Sequence, residues 1–188
     1  MKKIKIVSLL FSVVMVVAAG HDDEEGPIIP QPREQVGRTV LVYIVGDNGV
    51  NELSDLFKTN FENMKEVDYS KCNLVVYNEM VNDVPRLVSL KKQNGKVVAD
   101  TLFTYSEQNP LAKEVMSSVI SQTVSYFPAD SYGFVFLSHS SSWVPATNDA
   151  NSRSIGYYRR TQMNIPDFHD VLLSSFLRPL KFILFVSC

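Results

Sequence analysis

Four apolar runs constrain the fold of this chain more than any other feature. Thr39 to Val45, Leu74 to Tyr77, Tyr132 to Leu137 and Lys181 to Val186 are rich in β-branched and aromatic residues and show no polar/apolar alternation. A strand with one wet face alternates, whereas a strand covered on both faces does not. The runs therefore predict strands of a sheet enclosed by other layers. Between the first two, Leu53, Phe57, Phe61 and Met64 recur at helical spacing as one apolar stripe. A strand, a helix and a strand in that order form a βαβ unit, hence a parallel sheet.

The remaining segments fit around that sheet. Asn94-Gly95, between Arg86 to Lys91 and Lys96 to Asp100, predicts a β-hairpin beside the sheet, because both turn residues tolerate positive φ. Asn109 is expected to cap a helix with Pro110 at its first position and Val115, Val119 and Ile120 on its buried face. Val144 to Ser152 is polar and loop-like, and Ile155 to Arg159 is a candidate short strand. Asn164 and Pro166 open another helix, with Phe168, Leu172 and Phe176 on one face. The fold class is α/β: an open, mostly parallel sheet flanked by helices, with a β-hairpin insertion.

At 188 residues the chain suits one domain, and 45% hydrophobic residues suffice for a core. A net charge of -2 gives no sign of the basic face that a nucleic-acid partner requires, and none is expected. Residues 1–19 differ from the rest. Lys2, Lys3 and Lys5 precede an apolar run from Ile6 to Val17, then small residues at Ala18 and Ala19. This is the pattern of a secretory signal peptide, too short for a spanning helix. Residues 20–37 hold Pro27, Pro30 and Pro32 without periodicity and read as a linker. The domain is assigned to residues 38–188. Export to the periplasm or beyond is expected, with no integral membrane segment in the mature chain.

In an open parallel sheet, ligands bind beyond the carboxyl ends of the strands. Asp47, His139 and Cys188 each follow an apolar run, so the topology brings them toward one edge. A thiolate becomes a strong nucleophile when an imidazole takes its proton, and backbone N–H groups can then hold the oxyanion of an attacked carbonyl. A structural role for each residue stands beside that reading: a core cysteine, a turn histidine, and an Asp47-Asn48 pair that stabilises a turn. Cys72 reads as an inert strand residue and His169 as solvated. A Cys72–Cys188 bridge is excluded. The two lie at opposite ends of parallel strands, about five residues apart at roughly 3.3 Å each, against the roughly 4.4–6.8 Å between Cα atoms that a disulfide tolerates.

Several stretches resemble the clostripain family of cysteine peptidases, from about Arg38 to Cys188. Thr39 to Asn48, TVLVYIVGDN, is similar to that family's opening strand and Asp-Asn turn. Gly133 to His139, GFVFLSH, with Trp143 and Pro145 beyond it, resembles its histidine strand. Ile155-Gly156-Tyr157 and the following helix match its connecting segment, and Phe182 to Cys188, FILFVSC, resembles the strand that ends on its nucleophile. The resemblance implies a caspase-like fold and cleavage of protein or peptide substrates after Arg or Lys. Cys188 would be the nucleophile, His139 the base, and Ser140 would supply an oxyanion N–H. Asp47 and Trp143 would be structural residues at the edge of the site, and Arg153, first basic residue after the histidine loop, the processing point. No cofactor or metal ligand set is implied, with calcium left open.

The chain departs from that pattern in places. Ser140 and Ser142 stand where the family has glycines, and Val186-Ser187 where it has Asp-Ala. A family member would continue past its cysteine, so the chain reads as truncated, with a C-terminal half missing and little activity expected of it alone. Val17-Ala18-Ala19-Gly20 is similar to a lipobox whose cysteine is replaced by Gly20, so no lipid anchor is expected. The alternative is a degenerate, non-catalytic domain that binds protein or peptide at the exported surface. A serine hydrolase of the α/β type has no Gly-x-Ser-x-Gly elbow to support it.

Overall fold

In the computed structural model, which describes residues 31–47, 51–66, 71–140, 154–178 and 180–186, the four apolar runs lie in one sheet. The elements in chain order are β1 (Thr39–Val45), α1 (Asn51–Met64), β2 (Asn73–Glu79), β3 (Arg86–Gln93), β4 (Lys96–Thr104), α2 (Lys113–Tyr126), β5 (Tyr132–Ser138), β6 (Ser154–Tyr158), β7 (Thr161–Asn164), α3 (Ile165–Ser175) and β8 (Leu180–Val186). The main sheet runs β4-β3-β2-β1-β5-β8, while β6 and β7 form a separate antiparallel pair. β2, β1, β5 and β8 are mutually parallel, and the β3–β4 hairpin adds two antiparallel strands beside β2.

Each face of the sheet is covered, which is why its central strands do not alternate. On one face Phe57, with Phe61 and Met64 beside it, brings α1 down onto Val42, Ile44, Leu74 and Val76. On the other, Met116, Val119 and Ile120 of α2 and Phe168, Val171 and Leu172 of α3 cover Tyr43, Tyr77, Phe134 and Phe136. Tyr43 is fully buried and stacks on Tyr77 with ring centroids 4.5 Å apart. Its hydroxyl donates to the carbonyl of Pro110 at 2.7 Å, the partner that a buried phenol requires.

That hydrogen bond helps explain one departure from the sequence-based expectation. α2 begins at Lys113, not at Pro110. Asn109 instead closes a tight turn: its side chain accepts from the Leu111 N–H at 2.9 Å and its carbonyl from the Ala112 N–H at 3.1 Å. The Pro110 carbonyl is thereby given to Tyr43 and not to a helical turn. The buried stripe of α2 runs through Met116, Val119, Ile120, Thr123 and Val124, with Val115 only half-buried at its margin. The start of α3 matches its cap signal: the Asn164 side chain accepts from the Asp167 N–H at 2.7 Å, with proline in the first turn.

β7 carries no strand signature, since only Met163 of its four residues is buried. It exists because β6 pairs with it, from Ser154↔Asn164 to Tyr158↔Thr161. β8 is the last strand of the sheet. Its Ile183, Leu184 and Phe185 remain 43–52% exposed, so this apolar run is not covered on both faces among the described residues. Phe182 lies over Gly133 of β5, where a side chain would collide with its ring. No described helix is long and apolar enough to cross a membrane.

Candidate active site

The parallel register determines what meets at the carboxyl edge. Val45 pairs with Glu79 on one side and with Ser138 on the other, and Leu137 pairs with Val186. The chain therefore leaves β1 through Gly46 and Asp47, leaves β5 through His139 and Ser140, and leaves β8 after Val186, all at one edge. Cys188, Trp143 and Arg153 lie outside the described residues, as does Asn48. Cys72 precedes β2 at the opposite edge and is a free thiol whose pKa is raised, mainly by burial. His169 is exposed on α3, its Nδ1 3.1 Å from a carboxylate oxygen of Asp170.

Two recesses open at this edge. One, of about 320 Å³, is lined chiefly by apolar groups, with Phe136, Ile155 and Phe168 forming its walls and Ser138, Ser140 and Ser154 its polar points. The other, of about 460 Å³, is lined by Asp47, Glu79, Asp83, Glu107 and Arg159 among others. The β6–β7 hairpin borders both.

In the acidic recess, Asp47 is nearly buried and paired with Arg159, whose Nε donates to its Oδ2 at 2.8 Å. The same guanidinium pairs with Glu107 at 2.5 Å. The two carboxylates raise the Arg159 pKa further, so this cation stays charged. Glu79 is buried, and its carboxylate accepts the Asp47 N–H at 3.3 Å. Burial pushes its carboxyl up to about 7 and Asp47 adds to the rise, while the Asp47 N–H and Arg159 oppose it.

His139 is half-buried just beyond β5. Its ring stands at 88° to that of Tyr157, with centroids 6.1 Å apart. The preceding residue, Ser138, is buried and its Oγ accepts the Tyr157 N–H at 3.1 Å. The register thus sets His139, Ser140 and Asp47 from the candidate residues at one edge, with Ser140 lining the apolar recess and Asp47 the acidic one. It adds Glu79, Tyr157 and Arg159, which sequence reasoning missed. Glu79 stands two residues after the apolar run Leu74 to Tyr77, and Tyr157 and Arg159 lie in the candidate short strand, but none carried a site signal in the sequence. Among the described residues no group of three His, Cys, Asp or Glu is placed to hold a metal ion.

The sequence matches the model of the clostripain family, peptidase C11, over residues 42–188. Among solved structures it is similar to a secreted C11 cysteine protease from Bacteroides thetaiotaomicron, solved with an irreversible peptide inhibitor. The two are 38% identical, with a TM-score of 0.67 over 81% of this chain and 42% of that one. An inactive zymogen C11 protease from Parabacteroides distasonis is 30% identical, with a TM-score of 0.66 over 83% of this chain and 43% of that one. A cysteine protease from B. fragilis is 39% identical, with a TM-score of 0.52 over 61% of this chain and 98% of that one. The present chain spans less than half the length of the first two. No curated protein matches the sequence.

Proposed function

The chain belongs to the clostripain family of cysteine peptidases, and from that premise we propose that it provides the histidine–cysteine part of an exported endopeptidase that cuts after Arg or Lys. Cys188 is the nucleophile and His139 the base that takes its proton. The observation that carries this reading is the register of β5 with β8. His139 stands two residues beyond Leu137 and Cys188 two residues beyond Val186, and Leu137 and Val186 are paired. Neighbouring strands lie about 4.8 Å apart, a spacing that suits a nucleophile and a base carried at matched steps along the sequence beyond them. Ser140, at the rim of the apolar recess, provides the oxyanion N–H, and Arg153 is the processing point.

The exposed β8 run supports a further part of the proposal. Two of the relatives are more than twice as long as the segment they share with this chain. A segment like their remainder covers Ile183, Leu184 and Phe185 and completes both sheet and substrate site. Export follows from residues 1–19, with cleavage after Ala19, and no cofactor is proposed; chelation tests whether calcium is needed.

One observation favours a second reading, that of a non-catalytic domain binding peptide. Ser140 and Ser142 replace the glycines of the histidine motif, and Val186-Ser187 replaces Asp-Ala before the cysteine. The experiment that separates the two is turnover of an Arg-aminomethylcoumarin peptide by the protein carrying this chain. Cys188→Ala and His139→Ala are each expected to abolish it. Turnover that survives Cys188→Ala overturns the catalytic reading, and peptide binding without turnover establishes the second.

A further inference from the structure

Tyr157 meets His139 through an irregularity in the β6–β7 hairpin. Pairing passes from Ile155↔Met163 directly to Tyr157↔Gln162, which leaves Gly156 as an extra residue. Gly156 has φ of +75°, and a side chain there would run into Leu111 and Phe136. Only glycine meets both demands. A bulge of this kind re-aims the side chains beside it, and the next one is Tyr157, whose ring stands across that of His139 at 6.1 Å.

Both ends of this contact are tethered. At the near end, the Tyr157 N–H donates to the Oγ of Ser138, the residue before His139, at 3.1 Å. At the far end, Arg159 adopts φ of +53°, a region unfavourable for any residue with a side chain. Two bonds to one residue hold it there: its N–H donates to the Asp47 carbonyl at 2.9 Å, and its Nε to the Asp47 carboxylate at 2.8 Å. Glu107 takes the other side of the guanidinium, which also lies over the Tyr158 ring at 5.1 Å.

We propose that Tyr157 is a positioning residue for His139, and that the Arg159–Asp47 clamp fixes Tyr157 in turn. The proposal rests on the reading of His139 as the base. Perpendicular aromatic pairs are favourable at centroid separations of roughly 4.5–7 Å, and a catalytic group must be held to within about 0.5 Å. His139 follows the last residue of β5, so the sheet itself no longer orients its ring. The Tyr157 ring restricts it instead. Arg159 suits the clamp because a planar guanidinium engages two carboxylates at once, which a lysine ammonium does not reproduce.

Histidine-ring 13C–1H spectra of the 188-residue chain test this directly, with exposed His169 as internal reference. The His139 signal is expected to move toward that of His169 in Tyr157→Ala and to keep its position in Tyr157→Phe, which retains the ring. Arg159→Gln changes an exposed side chain and is expected to move His139 in the same direction, and Arg159→Lys is expected not to restore it. Backbone 15N–1H amide spectra, recorded in parallel, report that each variant is folded. A His139 signal that stays in place in Tyr157→Ala overturns the positioning role, and one that stays in place in Arg159→Gln overturns the clamp. In peptide turnover, Tyr157→Ala is expected to lower kcat about tenfold to a hundredfold with KM little changed, and Tyr157→Phe to recover most of the loss. A loss confined to KM also overturns the proposal. Failure of the dyad reading shows itself separately, as turnover that persists in Cys188→Ala while the His139 spectra still respond to Tyr157→Ala.

Discussion

The two edges of the main sheet are built differently. At the β4 edge, Lys91 of β3 and Arg33 both pair with Asp100 of β4, at 2.6 and 3.2 Å, and the strand mixes exposed and half-buried residues with none fully buried. A register shift between Leu87 and Val88 bends the hairpin. Charges and bulges are the usual means by which a strand discourages further pairing. At the β8 edge, Phe182, Ile183, Leu184 and Phe185 are consecutive, large, apolar and each more than a third exposed. Runs of that kind mark interfaces more often than free surfaces. The β4 edge is finished as a surface, and the β8 edge has the chemistry of a contact. Within one sheet, then, an antiparallel edge and a parallel edge follow opposite side-chain strategies, and the difference lies in what covers each strand.

Truncations on the two sides provide the largest test. Leu87 is completely buried behind the β4 edge, so Leu87→Ala should lower the unfolding free energy by about 2–5 kcal/mol. Leu184 on β8 is 52% exposed, and Leu184→Ala should cost less than about 1 kcal/mol. Urea unfolding of the two variants compares them. Equal losses would break the contrast by showing that β8 is as well covered as β3.

Glu79 sharpens the comparison from inside the finished half. Its carboxyl is raised from 4.5 to about 7 by burial. The folded protein therefore holds this proton more tightly than the unfolded chain, and the group favours folding most at low pH. That contribution fades as pH rises from about 4.5 through about 7, by about 3 kcal/mol at most. Glu79→Gln should flatten this fall, so that the variant gains on the parent above pH 7. Parallel pH–stability curves for parent and variant would mean that water reaches Glu79.

The smallest effect is expected at the β4 surface itself. Asp100→Asn removes two ion pairs whose groups are 30–41% exposed. Solvent screening holds the cost within about 1 kcal/mol, and it should shrink further in high salt. A loss of several kcal/mol in a thermal or urea titration would show that this edge depends on its charges for folding as well as for blocking further pairing.

The elements that were legible in the sequence share one property: their signal is local. The buried runs, the α1 stripe through Phe57 and Phe61, the Asn94-Gly95 turn and the Asn164 cap each depend on residues a few positions apart. β7 was not legible, because Thr161, Gln162 and Asn164 carry no strand pattern and only pairing with β6 defines them. Nor was the true start of α2, where a hydroxyl 67 residues away takes the Pro110 carbonyl.

The candidate site divides in the same way. Sequence alone singled out Asp47, His139 and Cys188, because residues that follow buried parallel strands collect at one edge whatever the details of packing, and the family resemblance added Ser140. It determined a mostly parallel sheet with a hairpin beside it and the family to which the chain belongs, while the strand order β4-β3-β2-β1-β5-β8 came from the structure. Only the tertiary structure decided that Arg159, 112 residues from Asp47, closes onto it. It also set Tyr157 across His139 and made Glu79 a buried acid near neutrality. Those are properties of distance and dielectric, created when separate segments pack together, and no spacing along the chain encodes them.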